Sequence, residues 1–280
     1  MTQIMNADKQ GLIFEIISAR ISEKPEDKKY VIYTLQVRFI SGNDDLTPSV
    51  IERRYTQFET LYTLLRKEFP TMFQDIAFPK KVLTGNFDNE LITARSTAFE
   101  GILKRISQET KLRTSRAMQL FLQEPELSEA KQLLASHSYA AAYEGFQKIF
   151  KLLNKVSDFL LFAPEGKLNP NNAVKTFSDR SHAVILTLCR IVACCSECPT
   201  LEESLKWTKL ALYRFDGVSD SDVLELYLPL LNASIKVYEG HKKNTEELSA
   251  QIEMFRKQGV RDVEGRELAR AVNEVEAKLF

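Results

Sequence analysis

Apolar and polar residues alternate along the first part of the chain, which is the pattern of half-buried β-strands. Residues 12–21 are rich in branched apolar side chains. In residues 30–40 every second position is apolar, and these positions are Val31, Tyr33, Leu35, Val37 and Phe39. A polar stretch containing Pro25 separates the two segments, and the turn-forming residues 41–45 follow the second. The pattern predicts two paired antiparallel strands and a third strand over residues 49–55.

The spacing of the apolar residues changes to about 3.6 at Thr56, which predicts a helix directly after the third strand. The residues at this spacing are Phe58, Leu61, Leu65 and Phe69. Thr56 and Glu59 match a capping box, and Pro70 ends the segment. After a loop over residues 75–87, an apolar stripe over residues 88–106 predicts a second helix.

Residues 127–280 contain no alternating run, and their prolines and glycines divide them into segments of ordinary helix length. The first pair of segments has the small and large apolar positions of a tetratricopeptide-like hairpin, namely Leu133, Leu134, Tyr139, Ala142, Phe146 and Ile149. The polar residues 123–126 predict a domain boundary. We therefore expect an α+β domain with a three-stranded antiparallel sheet over residues 1–124, followed by an all-α, tetratricopeptide-like domain over residues 125–280.

Composition restricts the kinds of partner that this chain can attract. Lysine plus arginine and aspartate plus glutamate both number 38, so the formal net charge is +0 and no nucleic-acid partner is expected. Residues 1–10 lack the pattern of a secretory signal, which predicts a cytosolic chain. The most apolar stretch, residues 183–195, is interrupted by Arg190 and is shorter than the ~20 residues that span a bilayer. Any contact with a membrane is therefore expected to be peripheral.

The sequence offers little for metal binding or catalysis. Four cysteines lie between residues 189 and 198, but no second cysteine pair completes a tetrahedral zinc site. Buried reduced thiols are the preferred interpretation, and we predict no metal and no cofactor. The three histidines are widely separated, and neither a G-x-S-x-G nor an H-E-x-x-H motif occurs. We therefore expect a protein that is not an enzyme.

A set of basic and aromatic residues predicts a phosphate site. Its members are Arg53, Arg54, Tyr55, Lys80, Lys81 and Arg95. The first three stand where the third strand enters a helix N-terminus, whose free N–H groups favour an anion. Arg95 lies on the apolar stripe of the second helix, where an arginine is costly unless it has a partner. That partner is either a core carboxylate, solvent reached by snorkelling, or a bound ligand.

These residues and their spacing resemble the PX (phox homology) domain, a phosphoinositide-binding module, over roughly residues 10–123. The resemblance implies that Arg54 contacts a 3-phosphate and that Tyr55 supports the inositol ring. It further implies that Lys81 contacts the 1-phosphate and that Arg95 binds the 4- and 5-hydroxyls. The implied ligand is the head group of phosphatidylinositol 3-phosphate. Arg53 and Lys80 are expected to make secondary lipid contacts.

Apolar residues follow the two lysines in the same loop. Val82, Leu83 and Phe87 either anchor the loop to the protein or insert into a membrane, and the sequence leaves both readings open.

A PX domain followed by short helices resembles the sorting nexins whose C-terminal PXB domain is tetratricopeptide-like. This resemblance implies a peripheral adaptor on the cytoplasmic side of early endosome membranes. Its helical domain would bind a protein or peptide partner in endosomal sorting. The alternative is a scaffold that acts through its helical domain without lipid specificity.

Overall fold

The structure, a computed structural model, describes residues 11–22, 29–40, 45, 47–82, 84–157, 181–215, 221–257 and 266–279. The first part of the chain forms a three-stranded antiparallel sheet in the order β1-β2-β3. The strands are β1 (Gly11–Ile21), β2 (Val31–Ile40) and β3 (Ser49–Arg54). The three strands predicted from the alternating pattern are therefore confirmed.

One face of the sheet is buried, because successive side chains of a strand point to opposite faces. Tyr33, Leu35 and Val37 on β2 have 0% exposure. β1 contains an irregularity between Ile16 and Ser18. The Ile16 backbone N–H there donates a hydrogen bond to Glu100 Oε1 at 2.9 Å, so a side chain satisfies an amide at the edge of the sheet.

Helices cover the buried face of the sheet. They are α1 (Tyr55–Glu68), α2 (Asn89–Gln108), α3 (Thr110–Arg113) and α4 (Arg116–Gln123), with a 3-10 turn over Pro70–Phe73. The core between sheet and helices is aromatic. The rings of Phe58 on α1 and Phe99 on α2 are stacked with their centroids 4.1 Å apart, and Tyr33 meets Phe99 edge-on at 5.1 Å. This packing places the start of α1 beside the middle of α2.

The capping box predicted at Thr56 and Glu59 is wrong, because the N-cap of α1 lies two residues before Thr56. Arg54 is the N-cap residue and has extended backbone angles, so β3 enters α1 with no residue between them. The Arg54 backbone N–H donates to Gln57 Oε1 at 2.9 Å, which is the bond that a capping-box side chain makes. Glu59 is thereby left to pair elsewhere.

Arg53, a predicted secondary lipid contact, is buried and is bonded within the fold. It points to the same face of β3 as buried Ile51 and is 1% exposed. Its Nε donates to the Phe121 carbonyl at 2.6 Å, and its Nη2 donates to the Leu122 carbonyl at 2.8 Å. Helix C-termini leave carbonyls without intrahelical partners, and Arg53 satisfies two of them at the end of α4.

The second part of the chain is helical, as predicted. Its helices are α5 (Glu126–Ala135), α6 (Tyr139–Ser157), α7 (His182–Glu197), α8 (Ser204–Phe215), α9 (Ser221–Leu224), α10 (Tyr227–Gly240), α11 (Glu246–Lys257) and α12 (Leu268–Leu279). The described residues form two compact units. The first runs to Gln123 and includes the last turn of α6 from Asn154, and the second comprises the remaining residues from Glu124.

Within the helical unit, α5 and α6 approach closely. A Cβ added at Gly145 would lie 3.1 Å from the Cβ of Ala130, so only a very small residue fits at this crossing. Ala142 and Phe146 on the same helix have 0% exposure. The small residues permit the close approach and the phenylalanine fills the space beside it, as the predicted hairpin requires.

Helix α7 is buried along most of its length, yet it carries a charge. Arg190 is 1% exposed, and its Nη2 lies 2.8 Å from Glu276 Oε2, which also accepts a hydrogen bond from Lys131 Nζ at 2.6 Å. Burial alone raises the pKa of Glu276, but the two cations together hold it below its ordinary value. The buried charge of α7 is therefore compensated by a carboxylate.

The cysteines of α7 are buried free thiols. Burial raises the pKa values of Cys189, Cys194 and Cys195 to about 12, so these groups remain protonated. No helix within the described ranges has both the length and the apolar character that crossing a bilayer requires.

Replacing Arg53 by methionine tests its structural role. We expect Arg53→Met to lower the free energy of unfolding by about 3 kcal/mol, because two carbonyls of α4 lose their donors in a buried site. Unfolding in urea measures the change. Arg54→Ala, one position away on the exposed face, is the control and should change stability by less than about 0.5 kcal/mol. Equal stability of the two variants would contradict the assignment.

Candidate functional site

The ring of Tyr55 is the centre of the predicted phosphate site. Arg95 Cζ from α2 lies 4.4 Å from its centroid, and Lys81 Nζ from the preceding loop lies 5.9 Å from it. The Tyr55 hydroxyl donates to the Pro79 carbonyl at 2.6 Å, which ties that loop to the start of α1. Three segments that are distant in sequence therefore meet at one aromatic ring.

Arg95 is a buried cation whose hydrogen-bond partners are all neutral. Its exposure is 3%. Nη1 and Nη2 each donate to Asn86 Oδ1 at 3.2 Å, and Nη2 also donates to the Lys80 carbonyl at 3.4 Å. Among the described residues no carboxylate pairs with Arg95, and its Nε has no hydrogen-bond partner. Of the three predicted partners for Arg95, the core carboxylate is therefore not observed in this part of the chain.

The surroundings of Arg95 keep its tyrosine neighbours neutral. Burial raises the pKa of Tyr33, while the positive charge of Arg95 acts in the opposite direction. Burial, followed by the negative charge of Glu59, also raises the pKa of Tyr55. Both phenols are therefore neutral near neutral pH and supply no negative charge to Arg95.

Lys81 forms an exposed ion pair with Glu59. Its Nζ lies 2.7 Å from Glu59 Oε2, and the two side chains are 62% and 35% exposed. Pairs of this kind contribute little to stability, so a phosphate can replace the carboxylate at small cost. Lys80 is also exposed, but it contributes its carbonyl to Arg95, and no contact places its ammonium at the Tyr55 ring.

Arg54 is exposed and does not contact the Tyr55 ring. Its Cζ lies 5.8 Å from the centroid of the Tyr30 ring, and its side chain forms no ion pair with any described residue. The structure thus brings Tyr55, Lys81 and Arg95 together. Arg54 precedes Tyr55 in sequence, but its guanidinium lies over the ring of Tyr30.

The loop between Val82 and α2 is held by an asparagine that the sequence analysis missed. Asn86 Nδ2 donates to the Val82 carbonyl at 3.0 Å while its Oδ1 accepts from Arg95. Gly85 has φ +72°, a left-handed conformation that glycine adopts without strain. Adjacent glycine and asparagine indicate a turn, but no sequence signal indicates the contact with Arg95.

Two of the three apolar loop residues are exposed. Val82 and Phe87 have exposures of 37% and 41%, so neither anchors this loop in the protein core. Leu83 lies outside the described residues.

The helical unit contains a groove of about 810 Å³ among α5, α7, α10 and α12. Ion pairs line it, including Lys236 with Glu197 at 3.0 Å and Arg270 with Glu274 at 2.9 Å. Apolar side chains, including Leu134 and Leu268, line the same groove, so its surface is of mixed character.

Comparison with known proteins gives the class of the first unit. The family model described as PX domain matches residues 42–125. The crystal structure of the mouse SNX19 PX domain with bound sulphate ion covers 40% of this chain and 96% of its own, with 20% identity and a TM-score of 0.33.

Sequence relatives extend over most of the chain. Sorting nexin-20 of Rattus norvegicus is 30% identical over 242 residues, which are 86% of this chain and 69% of that protein. Sorting nexin-20 of Bos taurus is 38% identical over 52% of this chain and 46% of its own length. Sorting nexin-21 of Homo sapiens is 30% identical over 81% of this chain and 55% of its own length. The chain belongs to the sorting nexin family and spans about half to two thirds of the length of these relatives.

Replacing Glu59 by glutamine tests whether Lys81 can bind an anionic ligand in place of Glu59. We expect Glu59→Gln to bind soluble inositol 1,3-bisphosphate more tightly than wild type, because the carboxylate no longer competes for Lys81. Stability should change by less than about 0.5 kcal/mol, since the pair is exposed. Titration calorimetry measures the affinity. Glu68→Gln, an exposed substitution at the other end of α1, is the control, and equal affinities of the two variants would count against the site.

Proposed function

We propose that residues 1–124 form a PX module that binds the head group of phosphatidylinositol 3-phosphate. The observation that carries this proposal is Arg95, which is buried on the Tyr55 ring with neutral partners only. A buried cation without a counter-ion is costly, and an anionic ligand that enters the site removes that cost. Membership of the sorting nexin family implies phosphoinositide binding and a role in endosomal trafficking, and this site is suited to that ligand class.

The residue roles follow the chemistry of a phosphorylated inositol. Tyr55 presents an aromatic ring to the apolar face of the sugar, and Arg95 donates to its 4- and 5-hydroxyls. Lys81 binds the 1-phosphate after leaving Glu59. Arg54 binds the 3-phosphate with its planar fork, which requires its exposed side chain to turn from Tyr30 towards Tyr55. Lys80 adds positive charge on the membrane side.

We further propose that the whole protein is a peripheral adaptor on the cytoplasmic side of early endosomes rather than an enzyme. Residues 125–280 would bind a protein or peptide partner in the groove among α5, α7, α10 and α12. Lipid and partner contacts that are weak separately combine on one membrane by raising the effective concentration of each. Lipid identity would then select the membrane, and the partner would select the cargo.

Replacing Arg54 by alanine tests the lipid site directly. We expect Arg54→Ala to abolish sedimentation of the full chain with vesicles that contain phosphatidylinositol 3-phosphate, because the main donor to the 3-phosphate is lost. The side chain is exposed and unpaired among the described residues, so the fold should be preserved.

Lys67→Ala removes the same charge from an exposed position near the end of α1 and should bind like wild type. Vesicles without the 3-phosphate lipid distinguish specific binding from general attraction to anionic lipid. Equal sedimentation of Arg54→Ala and wild type would overturn the proposed site. Wild type that ignores the lipid while retaining a protein partner would favour the scaffold alternative.

Replacing Phe87 by glutamate tests membrane insertion of the loop. We expect Phe87→Glu to weaken vesicle binding at least about tenfold while leaving binding of soluble head group within about twofold, because an inserted aromatic contributes about 1.5–3 kcal/mol. Leu64→Glu is the matched control, since Leu64 is 40% exposed on α1 against 41% for Phe87. Equal losses for vesicles and soluble head group would show that Phe87 does not insert.

A further inference from the structure

We infer that Asn86 is a positioning residue of the head-group site, which fixes the Arg95 guanidinium without cancelling its charge. The inference rests on the proposed function and adds to it a residue that contacts Arg95. Three features of the site support it, namely the geometry of the Asn86 amide, the charge of the acceptor and the orientation of the Arg95 guanidinium.

Both the oxygen and the nitrogen of the Asn86 carboxamide form hydrogen bonds. Its oxygen accepts from Nη1 and Nη2 of Arg95 at 3.2 Å each, and its nitrogen donates to the Val82 carbonyl at 3.0 Å. Only an amide supplies an acceptor and a donor in this arrangement, because a carboxylate is acceptor-only and would set an oxygen against the Val82 oxygen. The turn that places Asn86 there includes Gly85 with φ +72° and the bond from Asp88 N–H to the Gly85 carbonyl at 3.0 Å.

The acceptor on Arg95 must be neutral for the site to attract an anion. A carboxylate at this position would pair with the buried guanidinium, and its negative charge would repel the phosphates of a ligand. Asn86 fixes the direction of the guanidinium as a carboxylate does, but the positive charge remains. The Lys80 carbonyl, the other acceptor on Arg95, is neutral as well.

The orientation of Arg95 leaves a donor for a ligand. A guanidinium has five N–H donors, and the three bonds from Nη1 and Nη2 to Asn86 and Lys80 leave one terminal N–H without a partner among the described residues, while Nε is buried. Because the guanidinium also lies 4.4 Å from the centroid of the Tyr55 ring, its position is fixed on two sides before the ligand arrives. A fixed donor loses less entropy on binding than a mobile one, so Asn86 raises affinity through Arg95.

Two substitutions at Asn86 distinguish the effect of charge at this position on ligand affinity from the effect of the hydrogen bonds. We expect Asn86→Asp to bind the soluble head group of phosphatidylinositol 3-phosphate at least about tenfold more weakly than wild type, since it neutralises Arg95 and repels phosphate. Asn86→Ala removes both hydrogen bonds but keeps the charge of Arg95, so we expect a smaller loss of about threefold to fivefold. Thr84→Asp adds the same charge at an exposed position of the same loop and should lose about twofold or less.

Titration calorimetry of the full chain with the dibutanoyl lipid measures these affinities, and thermal melting checks each fold. The order wild type, Asn86→Ala, Asn86→Asp from tightest to weakest supports the inference. If Asn86 only held the loop, the alanine variant would bind as weakly as the aspartate variant or more weakly, and that order would overturn the inference. Equal losses in Asn86→Asp and Thr84→Asp would also overturn it, because general loop charge would then be the cause.

If Asn86→Asp has a much lower melting temperature than wild type, Asn86→Ala still tests the inference. A lipid affinity of Asn86→Ala equal to that of wild type would overturn the inference by itself. Wild type that fails to bind the lipid would overturn the proposed function instead, so the two failures are distinguishable.

Discussion

The contact between the Arg95 guanidinium and the Tyr55 ring is the interaction on which the site depends. Burial makes the cation costly, and the neutral acceptors around it reduce that cost without removing the charge. The aromatic packing of the first unit keeps this arrangement in place, because Tyr55 contacts both Phe78 and Phe99. Stability of the fold and readiness for an anion therefore come from the same group of residues.

Three buried arginines illustrate how the partner determines the role. Arg53 donates to carbonyls at the end of α4 and stabilises the fold. Arg190 pairs with the carboxylate of Glu276 and makes a charge tolerable in an apolar helix. Arg95 also donates only to neutral acceptors, but it lies against Tyr55, beside the exposed Lys81. Burial of an arginine therefore indicates nothing about function by itself, and its role follows from the groups that surround it.

The chain concentrates its charge locally instead of carrying a net charge. Because basic and acidic residues are equal in number, net charge supplies no long-range attraction to anionic surfaces, and the proposed binding rests on a small site of specific geometry. An exposed Lys81–Glu59 pair beside the buried Arg95 is consistent with this principle. In the proposed function, a phosphate of the ligand replaces the Glu59 carboxylate at this lysine.

Most of the fold could be predicted from local patterns. Branched apolar residues indicated β1 and period-two alternation indicated β2. The change of period at Thr56 indicated α1, and the residue types of the phosphate site were recognisable from their spacing. Local patterns did not predict which of two adjacent residues of the same type faces the core. Arg53 and Arg54 are adjacent and chemically identical, yet strand alternation turns the first into the core and the second to solvent.

The amino-acid sequence by itself determined the elements, their order and the residue types available to an anion, because these depend on near neighbours and on hydrophobic periodicity. Only the tertiary structure decided which of those residues meet. Asn86 bonds to Arg95 and Tyr55 lies against it because packing of α2 on α1 closes the loop between them. Whether a buried charge is compensated is a property of distances between segments, and no local pattern encodes those distances.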